Sequence, residues 1–300
     1  MQRTISILSI IVTSQLNPVV RRIITLLLIL SGLAFTLPGC NPTNVDDLEN
    51  GEEEIENQSE AGIADDGLII SFIEVMGDSI PELRLEMKTV RIMPCMNYFI
   101  RMNLQDELKG NVLTRLLSLT EIDRADVCFT ATGPAMARVP FQDLEGEVSV
   151  FIEDGEYIDN IHIFISNEKV DILSKETEFL ELEYDRYFRK PKNSFYFRCG
   201  TMEESANLCE DFHNILLSEI QVEPFQFPGE GYIPYPDSSS GHFVNHPTRF
   251  YLYQNENHFE QAGELLEDFT REKIGTEEGV SLSIINWLGE GYRSCQVDLD

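Results

Sequence analysis

Positive charge is scarce in this chain. Its 300 residues hold 22 Lys and Arg against 52 Asp and Glu, a formal net charge of −30. Such a field repels nucleic-acid phosphates and anionic lipid headgroups, so no nucleic-acid partner is expected. Short catalytic motifs are missing too. There is no GxSxG, HExxH, Walker loop or GxGxxG. No CxxC pair occurs, which argues against a zinc ribbon or a thioredoxin-type redox centre. The apolar stretch over residues 23–36 is shorter than the about 20 residues a membrane-spanning helix needs. Acids are so numerous that choosing a catalytic carboxylate pair would be arbitrary, because such a pair is defined by its separation in space. No catalytic residue, cofactor or metal is therefore predicted.

What is present begins at the N-terminus. Arg21-Arg22 precede the apolar stretch, and Leu37-Pro38-Gly39-Cys40 follow it. Basic residues, a short apolar run and a small residue before a cut are the marks of a secretory signal. Leu37 at −3, Gly39 at −1 and Cys40 at +1 resemble the lipobox of bacterial lipoproteins, with Pro38 where Ala or Ser is commoner. The resemblance covers residues 21–40. It implies a signal peptide over 1–39 and lipidation of Cys40, which anchors the chain to a membrane of the bacterial cell envelope. Several acyl chains, each contributing about 0.8 kcal/mol per buried methylene, make such an anchor stable. Met1–Pro18 makes this signal unusually long, and Val19 or Val20 would be a normal start. Removing 1–39 takes Arg3, Arg21 and Arg22 and no acid, leaving 52 acids against 19 bases. Residues 41–66 carry ten acids, no base and no aromatic residue, so 40–66 reads as the lipidated Cys and a disordered acidic tether. Asp46-Asp47 resembles the surface-export signal of lipoproteins in some gram-negative groups; a plain spacer reads as well. The expected location is the outer membrane, facing the periplasm or the cell surface.

From Leu68 to about Ile165 apolar residues recur with period two, as in Leu83, Leu85 and Met87. Strand candidates are 68–76, 83–92, 96–104, 112–119, 126–131, 137–142, 148–152 and 157–165. Asp154-Gly155 between two of them signals a hairpin. So many short strands predict an immunoglobulin-like β-sandwich over 67–172. Charged residues 173–194 read as a connector, with a short helix over Lys175–Arg189. Beyond it the order becomes strand, helix, strand, strand, helix, strand, which predicts a ferredoxin-like βαββαβ domain over 195–300 and an α+β class for the whole. Phe195-Tyr196-Phe197 and Cys209-Glu210-Asp211-Phe212 are echoed by Phe250-Tyr251-Leu252 and Leu266-Glu267-Asp268-Phe269, at offsets of 55 and 57. This duplication resembles the sporulation-related repeat domain, a resemblance that implies binding of peptidoglycan glycan.

Candidate site residues are few. With Cys40 lipidated, Cys95, Cys128, Cys199, Cys209 and Cys295 remain, an odd number. An exported chain lies where disulfides persist, and a Cys95–Cys128 bridge within the first domain is expected. At most one pair can form among the other three. His242 and His246, spaced HxxxH with His258 nearby, sit among Gly, Ser and Pro, which argues for loop rather than ligand histidines. The segment Phe225–Pro247 mixes Pro, Gly and Ser with aromatic residues. Its Tyr232, Tyr235 and Phe243 are the candidate contact residues for an envelope glycan or protein; the same rings could instead cap the sheet. The function expected is non-catalytic binding or assembly at the envelope, with an envelope hydrolase of glycan or peptide as the alternative.

Overall fold

A strand with one face in a core needs an apolar residue at every second position. The computed structural model describes residues 62–298 except 78, 111, 126, 129–130, 142–143 and 276–278. The signal segment, Cys40 and residues 41–61 lie outside the described residues. The alternating stretch forms β1 (Leu68–Met76), β2 (Pro81–Met93), β3 (Tyr98–Lys109), β4 (Val112–Arg124), β5 (Gly133–Pro140), β6 (Gly146–Asp154), β7 (Tyr157–Ile165) and β8 (Lys169–Glu176). The candidate at 126–131 is no strand, and Cys128 lies in irregular chain there. Gly155 does mark a hairpin. Asp154 pairs with Tyr157, and Gly155 takes φ 61° at the first turn position, a geometry that glycine adopts without a Cβ penalty.

The expected sandwich is overturned. The strands form one mixed sheet in the order β10-β8-β7-β6-β4-β3-β5-β2-β1-β9, where β9 is Leu180–Leu182 and β10 is Arg186–Phe188. Parallel pairings join β4 to β6 and β1 to β9. Its outermost strands β9 and β10 are separated by only residues 183–185. Laid flat, ten strands would hold them about 43 Å apart at a spacing of about 4.8 Å. Three linking residues reach about 14 Å at most. The sheet must therefore curl until its ends meet, and they do: the Tyr187 ring lies 5.6 Å from Phe72 of β1. A single core fills the curl, including Leu68, Ile70, Leu85, Val150, Ile163 and Tyr187. Alternation marks which residues face a core, and it is the same whether the wall opposite is a second sheet or the far side of the same one.

β9 and β10 also correct the short helix expected over Lys175–Arg189. Buried Asp159 accepts the backbone N–H groups of Glu178 at 2.7 Å, Phe179 at 3.0 Å and Leu180 at 2.7 Å, which holds this stretch extended. Of the segment read as a tether, residues 63–66 form a helical turn, α1 (Ile63–Asp66), with Ile63 and Ala64 buried. Asp154 accepts the Ala64 N–H at 2.7 Å, and Asp66 pairs with Arg91 at 3.1 Å.

The rest of the chain forms β11 (Ser194–Thr201), α2 (Asn207–Glu219), β12 (Val222–Phe225), β13 (Val244–Asn245), β14 (Arg249–Tyr253), α3 (Glu256–Phe269), a π-helical turn (Thr270–Ile274), β15 (Ser281–Asn286) and β16 (Gly291–Arg293). The expected ferredoxin-like domain is corrected as well. The sheet has six strands, ordered β12-β14-β11-β15-β16 with β13 also paired to β11, and the molecule as a whole is mostly β. Periodicity locates the long elements, but the added strands are too short, at two and three residues, to carry a period. Both helices bury their apolar stripes in this sheet's own core. The echoed Phe212 and Phe269 meet there, with ring centroids 5.3 Å apart.

Candidate functional site

The crossing from the curled sheet to the second sheet reads Arg189-Lys190-Pro191-Lys192-Asn193, a basic stretch in an acidic chain. Asn193 turns it at φ 56°, a conformation that Asn tolerates better than most residues. Pro191 fixes its own φ, and its carbonyl accepts Ser194 Oγ at 2.6 Å. Beside this crossing lies a cleft of about 830 Å³, within the size range of small-molecule sites. Ile80, Phe188, Phe225, Phe227 and Trp287 give it apolar walls, and Lys190 and Lys192 lie on its border. Phe188 and Phe227 meet tilted with ring centroids 5.1 Å apart and Phe225 and Phe227 meet edge-to-face at 5.2 Å, so the aromatic rings of the wall pack on one another.

The cations of the cleft are not equivalent. Arg189 Nε pairs with Glu74 Oε1 at 2.9 Å, and the other Glu74 oxygen accepts the Lys190 backbone N–H at 2.6 Å. The Glu74 side chain is only 4% exposed, so that carboxylate is fully committed. Lys169 is taken by Asp171 at 2.8 Å. The ammonium groups of Lys190 and Lys192 form no ion pair among the described residues. Burial lowers the Lys190 pKa from the usual lysine value, with Glu74 pulling the other way. Glu168, an exposed carboxylate, also lines the cleft, so its four cations (Lys169, Arg189, Lys190 and Lys192) face two acids (Glu74 and Glu168), and the balance next to the apolar rings is positive in a molecule that is strongly negative as a whole.

The three rings chosen from sequence are not brought together. Tyr235 is 7% exposed; its hydroxyl meets Ser194 Oγ at 2.9 Å and its ring lies 5.0 Å from Tyr196 and 5.6 Å from Phe250. Burial raises its pKa. Tyr232 is half-buried against Tyr187 at 5.9 Å and exchanges backbone hydrogen bonds with β10, its N–H donating to Arg186 at 2.8 Å and its carbonyl accepting from Phe188 at 2.9 Å. Gly231 makes that approach possible, since a Cβ there would sit 2.9 Å from the Arg186 carbonyl oxygen. Phe243 is 70% exposed. The long segment is therefore stitched down along much of its length, with Tyr232 packed on the curled sheet and Tyr235 on the second. The residues that sequence reasoning missed are Lys190 and Lys192; the run of basic residues was visible, but its place beside Phe225 and Phe227 was not.

Cys95 and Cys128 are joined by a disulfide with Cα atoms 5.5 Å apart. Cys199 and Cys209 form a second, tying β11 to α2, and Cys295 is free and exposed. His242 and His246 flank β13 rather than sharing a helix face, and His246 meets Thr201 Oγ1 at 3.1 Å. Among the described residues no three His, Cys, Asp or Glu side chains converge as metal ligands, and no helix is long and apolar enough to cross a membrane.

One contact has the residue types of a hydrolase. Ser149 Oγ lies 3.0 Å from His162 Nδ1, and Glu147 Oε2 lies 3.7 Å from His162 Nε2. These three stand on the outer face of β6 and β7, opposite the core residues Val150 and Ile161. β6 is paired on both sides, so its backbone N–H groups serve the ladders and none is aimed at a developing oxyanion. Neighbouring strands place Ser and His directly opposite each other, and that register alone accounts for the contact. No family model, curated protein or solved structure matches this chain.

Proposed function

We propose that this protein is a lipid-anchored binding protein of the bacterial cell envelope, held through Cys40, whose ligand site is the cleft between the two sheets. The cleft carries the reading: it is large and walled by packed aromatic rings, and of the two carboxylates that line it Glu74 is committed to Arg189 and the Lys190 N–H while Glu168 stands exposed. The two disulfides support an oxidising compartment, and the Arg21–Cys40 signal supports export and lipidation. The net charge argues against a phosphate-rich polymer as partner.

Two measurements test this. Cells making Cys40→Ser protein are labelled with a clickable palmitate, and the label should vanish; undiminished label removes the anchor. The wild-type protein and Phe225→Ala/Phe227→Ala protein are purified from the same envelope and compared by native mass spectrometry. A bound species on the wild type that is lost from the variant is expected. Equal adducts on both would move the site elsewhere. Ser149→Ala should leave adducts and any hydrolytic release unchanged; loss of hydrolysis in that variant would favour an envelope hydrolase instead.

A further inference from the structure

We infer that the cleft binds an amphiphilic carboxylate: a single anionic head held by Lys190 and Lys192, and an apolar body laid against Phe225, Phe227 and Trp287. The inference rests on the cleft being the ligand site and adds the class of ligand.

The argument is one of charge and surface. Of the cations along the cleft, Arg189 and Lys169 are neutralised by Glu74 and Asp171, whereas Lys190 and Lys192 are not paired among the described residues. Lys190 is partly withdrawn from water, a cost that Glu74 offsets in part and an incoming anion offsets further, and Lys192 is exposed beside it and adds positive charge without that cost. Pro191 stands between the two lysines and limits how the backbone that carries them can move. The neighbouring walls are of the opposite character. Ile80, Pro81, Phe188, Phe225, Phe227 and Pro228 present apolar surface, which favours burial of an alkyl or aryl group by about 25 cal/mol per Å². A polyanion is disfavoured by the acids around it, since the whole chain carries −30. A neutral sugar would leave the lysines unpaired. One carboxylate on an apolar body satisfies both halves of the cleft.

Trp287 lines the cleft and is the only tryptophan in the chain, so its fluorescence reports occupancy directly. The full chain is titrated with decanoate and with decanol, each below its aggregation limit, and the same titration is run on Lys190→Gln/Lys192→Gln. A saturable Trp287 change is expected with both probes, with decanoate bound about tenfold more tightly, as a charge-assisted contact gives. In the double variant decanoate should fall to the affinity of decanol while decanol is unaffected. Equal binding of the two probes by the wild type, or a decanoate preference that survives the double substitution, would overturn the ligand class and leave the cleft as a site for some other ligand. Failure of both probes to give a saturable change would overturn the cleft itself as an apolar site. Thermal melting of the double variant separates loss of binding from loss of fold, and if it melts early, titration of decanoate at rising ionic strength supplies the second reading. Affinity should then drop with salt for decanoate alone, and salt-independence would overturn the inference.

Discussion

At the residue scale, the buried carboxylates Asp159 and Glu86 each have donors on both oxygens. Asp159 is fully buried and accepts three successive backbone N–H groups, those of Glu178, Phe179 and Leu180. Removing it leaves those donors dry, at about 1–3 kcal/mol each. Asp159→Ala should therefore lower stability by about 3–5 kcal/mol in urea unfolding, with Asn recovering part of it. Arg115 does the same for β3. It donates to both Asp106 oxygens, at 2.7 and 2.6 Å, and to the Pro140 carbonyl at 2.6 Å, with its guanidinium 4.6 Å above the Phe141 ring. Glu86 carries a pH dependence. Burial raises its pKa, but the hydrogen bonds and charges of Lys88 and Arg138 outweigh burial and hold it below the usual carboxylate range. A depressed folded-state value means stabilisation that is complete above the ordinary carboxyl pKa and lost as pH falls through the folded one. Asp106 and Asp171 are held low too, Asp106 chiefly by its hydrogen bonds to Arg115. Unfolding free energy should thus decline from about pH 5 downward, and Glu86→Gln should flatten that decline. An unchanged slope in the variant would show that Glu86 contributes nothing to it.

At the element scale, the weak place in the curled sheet is the join of β3 and β5. They share a single paired position, Phe99 with Met136, whereas β3 pairs with β4 along its whole length. The β2–β5 pairing is itself interrupted between Lys88 and Ile92, and Thr89 Oγ1 fills the break by accepting the Ala135 N–H at 3.0 Å. The Cys95–Cys128 bridge lies beside this join and ties the end of β2 to the chain entering β5. It closes a loop of 33 residues. On the chain-entropy account such a crosslink contributes about 3–4 kcal/mol. Replacing both cysteines with Ala should lower the denaturation midpoint accordingly, with hydrogen exchange accelerating first in β5 and the open part of β3. Uniform acceleration over the whole sheet would mean that the join is not the weak element.

At the scale of the whole molecule, repulsion sets the balance. With 52 acids against 22 bases, the folded surface holds like charges closer together than the unfolded chain does. Salt screens that repulsion, with a Debye length falling from about 30 Å at 0.01 M to about 3 Å at 1 M. The melting temperature should rise by several degrees across that range in NaCl. A falling melting temperature would show that ion pairs such as Arg189–Glu74 matter more than the general field. The two sheets are joined by Phe188 against Phe227 and by Tyr187 against Tyr232, and the Pro-rich segment supplies one ring of each pair. That segment is a fastening, which explains why Tyr235 is buried when an exposed contact ring was expected.

The sequence by itself determined most of the long strands and both helices of the last third, because periods of two and of 3.6 record which side of an element faces a core; it misread 126–131 as a strand and 175–189 as a helix. It determined the hairpin at Gly155 and the long elements of the last third. It determined the basic crossing at Arg189–Lys192 as a composition, though not as a site. The tertiary structure decided that one sheet closes on itself where two facing sheets were expected, because a period of two is silent about what lies across the core. It decided that 180–182 and 186–188 are strands, the first held at its start by Asp159 some twenty positions earlier in the chain. It decided the partners of Cys199 and Cys209, which the sequence left open. It also set Lys190 and Lys192 beside the rings of Phe225, Phe227 and Trp287. Those contacts span more than thirty positions of chain, and no local pattern encodes a distance that only the closing of two sheets creates.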